Sequence, residues 1–441
     1  MDLSLQKALF RASSALTRRY PVAGARLLNT AIKFIVTHPT LDAAYHKRNQ
    51  SVLDHVGQPK TILVLADIHL GDAVMLQGLV VAARDYFPAS DIHYVIARSA
   101  RPFIEGHPDV THLWPIYTGS SLPNEQDFAA VRDLIVRLEP DLVINACPSF
   151  VPGRPLPNNR SVLDFLTRAP RLIWNDDHPT EPNHFLFQSY EFLAGLFARR
   201  WPNRRPGGIR GASIYLDDDA VDAAGAFVDS LATPPYRPWV LLNPDGASPY
   251  TRPPQPVLAS VLDRLVAAGM LVMIGEGHTD AGVGRRLRDG LSPAARRRTR
   301  LVPGTLPAPA YAALIDRMDG FVSGDTGPLH WAAARKVSRS GCRSFRNRTA
   351  VFALFGATPA RMSGYDSSTP GFLPAWQDAV SATFVSHAPC LNITCLNKLH
   401  KTCATVRCFE GCSPLALADA VTATIGMSWH VRAPEPVRVP A

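Results

Sequence analysis

The sequence predicts an α/β protein in which two parallel-sheet domains face each other across a cleft. Three observations predict it. Short apolar runs alternate with helical patterns, and strands alternating with helices give a parallel sheet covered on both faces. The alternation occurs twice, in two series separated by a basic Pro/Gly-rich stretch at 201–211. At 441 residues the chain is also too long for one ordinary core and fits two domains of about 150–200 residues.

The first series opens with the apolar run 61–66, read as a buried strand, and continues with a helix over 72–86. A strand at 91–97, a short helix at 101–107, a strand at 112–116, a helix over 128–138 and a strand at 141–145 follow. Residues 148–160, rich in Pro, Gly and Asn, read as a loop. Helices are expected over 185–199 and 217–231, the second ended by Pro234-Pro235. The second series has strands at 239–243, 271–274, 299–302, 320–323 and 350–355. Its helices fall at 257–268, stopped by Gly269, and at 308–317, 328–334 and 415–425. Each series reads as a Rossmann-like domain. The expected division is an extension at 1–57, domains at 58–232 and 233–428, and a tail at 429–441.

Sheets of this kind bind ligands beyond the carboxyl ends of their strands, so the strand-end loops are the candidate sites. Leu70-Gly71-Asp72 lies between the first strand and the first helix. Gly71 permits a tight turn, and Asp72 is read either as a general base over the cleft or as an acid that stabilises a helix N-terminus. Asn243-Pro244-Asp245-Gly246-Ala247-Ser248 follows another strand as a polar loop suited to a phosphate or a sugar, or as an ordinary turn. Ser323-Gly324-Asp325-Thr326-Gly327-Pro328-Leu329-His330 is the least like a simple turn. Its glycines, with Pro328 at a helix start, leave the amides of Thr326, Gly327 and Leu329 to hold a diphosphate. Asp325 would repel phosphate and is expected to cap the helix or bind sugar hydroxyls, while His330 reaches phosphate from the first turn. Glu276 in Ile274-Gly275-Glu276-Gly277 and the loop Val302-Pro303-Gly304-Thr305 are weaker candidates for the same pocket.

Composition narrows the partners. A formal charge of +9 suits anionic ligands, but no zinc-finger, KH or RRM signature accompanies it, so nucleic acid is not expected. No long uncharged apolar stretch and no signal-peptide pattern is found, which gives the expectation of a cytoplasmic protein. The extension 1–57 carries helical spacing and an excess of Lys and Arg. It reads as an appendage packed on the body or as a basic helix lying on an anionic membrane surface. Cys390, Cys395, Cys403, Cys408 and Cys412 cluster, too openly spaced for a standard zinc site. They read as reduced thiols, as metal ligands or as disulfides. The basic run 335–348 has neither an acid nor apolar periodicity, and reads as a flexible insertion that meets an anionic acceptor or as a mistranslated stretch.

In their order these motifs resemble glycosyltransferase family 9, the ADP-heptose:lipopolysaccharide heptosyltransferases. The resemblance spans about residues 60 to 425. It is carried by Ile62-Leu63-Val64 with the Leu-Gly-Asp turn, Phe87-Pro88, Glu105-Gly106-His107-Pro108, Asp141-Leu142-Val143-Ile144 and Asn243 to Ser248. It is strongest at Gly324 to Ala334 and at Ala353-Leu354-Phe355-Gly356-Ala357-Thr358-Pro359. The resemblance implies a GT-B fold and an inverting, metal-independent transfer that needs no cofactor. It implies a nucleotide-sugar donor, an ADP-sugar, in the second domain and a lipopolysaccharide or lipid A–core acceptor in the first, near the inner membrane. Asp72 matches the catalytic base. Asp325, Thr326, Gly327 and His330 match the donor-binding segment, with Ser248, Arg252, Glu276 and Gly324 beside it. Family members usually carry a lysine where this chain has Thr251, and Arg252 is expected to take over its charge. That departure leaves room for a different donor or acceptor, or for a non-catalytic nucleotide- or glycan-binding homologue.

Overall fold

The structure, a computed structural model, describes residues 47, 49–66, 69–118, 124–147, 170–173, 185–208, 211–231, 238–246, 251–356, 382–385, 409 and 412–432. The extension up to residue 46, the loop 148–160, Ser248, and Cys390, Cys395, Cys403 and Cys408 lie outside the described residues.

The first sheet contains β1 (Thr61–Leu65), β2 (Asp91–Ala97), β3 (His112–Tyr117), β4 (Leu142–Asn145) and β5 (Arg171–Ile173), in the order β3-β2-β1-β4-β5. Every pairing is parallel. Ile62 to Leu65 are fully buried, as a central strand covered on both faces requires. The covering helices are α1 (Leu70–Met75), α2 (Gln77–Tyr86), α3 (Arg101–Ile104), α4 (Glu125–Leu138) and α5 (Phe185–Arg200). Asn124 starts α4 through a reciprocal capping box with Asp127. The single helix expected over 72–86 is two helices, broken at Leu76 (φ −82°, ψ 3°). The break turns Gln77 inward, where its amide donates to the Ser213 carbonyl at 2.7 Å and accepts from the Ser213 N–H at 3.1 Å.

The second sheet holds β7 (Trp239–Asn243), β8 (Leu271–Gly275), β9 (Thr299–Val302), β10 (Gly320–Gly324), β12 (Ala350–Phe355) and β13 (Ala382–Val385). Its order is β13-β12-β10-β7-β8-β9, again all parallel. Around it lie α7 (Gln255–Ala267), α8 (Val283–Asp289), α9 (Pro293–Arg297), α10 (Ala308–Asp316), α11 (Gly327–Ala333) and α12 (Pro414–Arg432). In each sheet one central strand has neighbours that lead away in opposite directions: β1 between β2 and β4, and β7 between β8 and β10. Such reversal points open a crevice at the carboxyl ends of the strands. The Leu70–Asp72 turn follows β1, the Asn243–Gly246 loop follows β7 and the Asp325–Gly327 turn follows β10.

A small third sheet pairs β6 (Ser213–Leu216) with β11 (Arg335–Ser338), in parallel register with Lys336 opposite Ile214. It corrects the reading of 335–348 as a flexible insertion that meets an anionic acceptor. The segment is a strap in which three of the five arginines, Arg339, Arg343 and Arg346, are already paired. Arg343 binds Asp222 at 2.6 Å on α6 (Asp218–Asp229), Arg339 reaches Glu105 at 3.3 Å, and Arg346 reaches Asp319 at 3.2 Å. The acids that neutralise it come from distant parts of the chain, so the run looked unbalanced when read locally.

One apolar core runs through both sheets and across the domain junction, including Ile62, Leu79, Phe103, Leu241, Phe321, Leu329 and Trp331. At the junction the rings of Phe103 on α3 and Trp331 on α11 stack at 4.6 Å and 19°. The outer face of the second sheet packs separately against α7 and α12 through Leu262, Val266, Val421 and Ile425.

Candidate active site

A cavity of about 480 Å³ lies where the strand ends of the two domains meet. The first domain contributes His69, Leu70, Gly71 and Asp72. The second contributes residues from all its central strand-end loops, among them Asp245, Thr251, Glu276, Tyr311, Asp325, Thr326, Gly327 and His330. Candidates some 250 residues apart in sequence thus line one space.

The contact between the halves is tight at Gly71. A Cβ there would stand 2.8 Å from Cδ2 of His330 and 3.8 Å from the Gly327 Cα, so only a glycine fits without displacing the ring. Asp72 follows on the first turn of α1, half-buried, and lines the cavity. His330 is 4% exposed, and burial lowers its pKa to about 4. At neutral pH it is an uncharged imidazole, so its 3.9 Å approach to the Asp325 carboxylate is not an ion pair there.

Thr326 is the N-cap of α11 but makes no side-chain cap bond. Its hydroxyl instead pairs with the Ser323 hydroxyl at 3.0 Å and lies 3.3 Å from the Asn243 amide nitrogen, tying β10 to β7. Asp325 precedes the cap and lines the cavity. The amide of Leu329, expected to stay free for a diphosphate, donates to the Thr326 carbonyl at 3.0 Å. The first turn of α11 closes on itself and consumes that donor.

Asp245 organises the floor. It is 6% exposed, and its carboxylate accepts from the amides of Gly246 (2.8 Å), His278 (2.7 Å), Thr279 (2.7 Å) and Asp280 (3.2 Å). Arg252 is spent on the same loops. It donates to Asp280 at 2.9 Å and to the Gly246 carbonyl at 2.9 Å, and it is absent from the cavity lining. The structure therefore does not bring Arg252 together with the other donor-side candidates. Thr251, buried at 6%, does line the cavity. Gly324 is a packing residue: a Cβ there would come 2.1 Å from the Thr251 carbonyl oxygen. Glu276 lines the cavity and is bridged by Arg285 at 2.6 Å; that hydrogen bond holds its carboxyl below the usual range.

Sequence reasoning passed over several residues of the lining. Tyr311, on the first turns of α10, and Trp331 have a buried hydroxyl and a buried indole N–H without hydrogen-bond partners among the described residues. Burial raises the Tyr311 pKa, with the Asp245 carboxylate adding to the effect. His278 and Thr279 were findable, because they sit two and three residues beyond Glu276 in a strand-end loop. Tyr311 gave no local signal. Among the described residues no group of three or more His, Cys, Asp or Glu is arranged to hold a metal ion. Cys412 is half-buried and free. No described helix is long and apolar enough to cross a membrane.

No protein-family model matches the sequence, and no curated protein matches it. Solved structures do match. The chain is similar to a glycosyl transferase family 9 structure from Veillonella parvula, with a TM-score of 0.59, 16% identity, and 85% of this chain and 98% of that one covered. It is also similar to the E. coli ADP-heptose lps heptosyltransferase II, with a TM-score of 0.55, 14% identity, and 83% and 99% covered. At these identities the likeness is one of fold. The two facing parallel-sheet domains and their interdomain cleft make this a GT-B fold, shared with the family 9 structure and the heptosyltransferase.

Proposed function

We propose that the chain is an inverting glycosyltransferase that moves a heptose or a related sugar from an ADP-sugar to a lipopolysaccharide core or lipid A acceptor. The observation that carries this reading is that Gly71 and Asp72 from one domain, and Asp325, Thr326, Gly327 and His330 from the other, line the same cavity. In the proposed reaction the acceptor enters from the first domain. The Asp72 carboxylate takes the proton of its hydroxyl, and the hydroxyl oxygen bonds to the anomeric carbon of the donor sugar. The bond from that carbon to the ADP oxygen breaks on the opposite face, and ADP leaves with the electron pair. One in-line displacement inverts the configuration, so one base suffices and no cofactor is called for. Thr326, Gly327 and the neutral His330 would face the leaving diphosphate, with Glu276 along the nucleotide.

The test is ADP release and glycoside formation with ADP-heptose and truncated core acceptors. Turnover is expected in the native chain, with a loss of at least about a hundredfold in Asp72→Ala. Full turnover in that variant would remove Asp72 from the mechanism. A second reading keeps the transfer but changes the donor nucleotide or the acceptor glycan. It is favoured by Thr251 at the lysine's place and by the engagement of Arg252 with Asp280, which leave the described lining without a lysine or arginine. A panel of nucleotide-sugars in single-turnover format separates the two.

A further inference from the structure

The strap that follows α11 carries a buried cation. Lys336 on β11 is 3% exposed, and its ammonium donates to the Ala332 carbonyl in the last turn of α11 at 2.6 Å. The geometry points to Lys336 as a positioning residue for the donor side of the cleft: it holds the C-terminal end of α11 and so sets where Thr326, Gly327 and His330 stand. This rests on the reading of the cleft as a nucleotide-sugar site.

The helix α11 is short. Seven residues make a helix about 10 Å long, too short to be stable alone, and its last carbonyls lack partners within the helix. The His330 carbonyl accepts from the Ala334 amide, and the Ala332 carbonyl takes the lysine. A cation at a helix C-terminus also opposes the helix dipole. Burying an ammonium is costly, and an apolar side chain of the same length would fill the space at lower cost. The ammonium therefore has a role that packing does not supply.

The lysine is itself anchored. Its amide donates to the Asn347 side-chain oxygen at 2.7 Å, and the Asn347 side-chain nitrogen donates to its carbonyl at 3.1 Å. The amides of Arg346 and Asn347 both donate to Asp316 at 2.7 Å, at the end of α10. Asp316 is also the charged group that lowers the cost of the buried ammonium. Thr349 donates to the carbonyls of Ile315 and Met318. On the other side β11 is paired to β6, and Arg339 donates to the Pro102 carbonyl at 2.9 Å in the first domain. The strap thus fixes the rear of two helices, α10 and α11, whose front ends line the cavity.

The experiment uses the full chain and Lys336→Met, which keeps the length and removes the donor. Amide exchange is followed for peptides covering 326–334, with α7 as internal reference, alongside ADP titration calorimetry and thermal unfolding. Protection of α11 is expected to fall about tenfold, with α7 unchanged, ADP affinity about tenfold weaker and no loss of melting temperature. Unchanged α11 protection overturns the proposal. So does a uniform loss across the second domain, which would make Lys336 a packing residue. Asn347→Gly covers the case in which Lys336→Met does not fold. Asn347 has φ +49°, which glycine adopts freely, so this variant frees the Lys336 backbone without strain. It should loosen α11 in the same direction by a smaller factor, and no change in α11 would again overturn the idea. If the native chain binds no ADP, the nucleotide-sugar reading fails while the exchange data still decide the role of Lys336.

Discussion

Gly71 and Lys336 are single residues whose surroundings fix what substitution would do. Gly71→Ala would place a methyl 2.8 Å from a His330 ring that is itself 4% exposed. The ring cannot swing into solvent, so the clash opens the domain junction. The expected cost is about 1–3 kcal/mol in urea unfolding, together with reduced turnover. A wild-type midpoint in the variant would show that the junction is looser than the packing implies. Burial lowers the Lys336 pKa from 10.5 to about 8. Between those values the unfolded chain binds a proton that the folded chain does not, so this group makes stability rise as pH increases from about 8 towards 10.5. The increment is on the order of 2–3 kcal/mol, and it should vanish in Lys336→Met when urea midpoints are compared at pH 7.5 and 10.

Loops rather than strands carry the site, and they are held by a few acceptors. The Asp245 carboxylate gathers four backbone amides from Gly246 and from residues 278–280, bringing the ends of β7 and β8 into one floor. In Asp245→Ala those amides lose their acceptor at a position that is 6% exposed. A loss of about 2–4 kcal/mol is expected, with nucleotide binding weakened more than the fold, as calorimetry would read. The same logic explains Arg252, whose guanidinium braces this floor from behind through Asp280 and the Gly246 carbonyl. A residue expected to meet the donor is engaged instead in shaping a loop of the cavity.

For the whole molecule, the continuous core joins the domains, and buried neutral groups set its acid limit. His107 and His330 are 6% and 4% exposed, and burial lowers both pKa values to about 4. Between pH 6.5 and 4 the unfolded chain binds protons at these two histidines that the folded chain does not, so stability falls as pH falls through that window. At pH 5 each contributes a loss of about 2 kcal/mol. The urea midpoint should drop between pH 7 and 5, and less so in His107→Gln, which removes one of three buried histidines shifted this way, His93 being the third. His330 lies against Gly71 of the other domain, so its share of this acid sensitivity belongs to the junction as well as to its own fold.

The sequence by itself determined the central strands of the two sheets and the loops that line the cleft, but not the edge strands β5 and β13. Strands such as Ile62 to Leu65 and Phe321 to Ser323 are buried on both faces, and that burial writes a local apolar run that can be read without knowing any neighbour. The turns at Leu70–Asp72 and Asp325–Gly327 were legible for the same reason, since glycine and a helix start are local signals. Only the tertiary structure decided which of these meet. The strands β6 and β11 pair across more than a hundred residues and are too short and mixed to announce themselves. The charges of Arg339, Arg343 and Arg346 find their acids far away in sequence, and the short α11 depends on a lysine from the following strand. Pairing, charge neutralisation and the approach of Gly71 to His330 depend on sheet order and domain docking. Those quantities exist only once the chain has closed on itself.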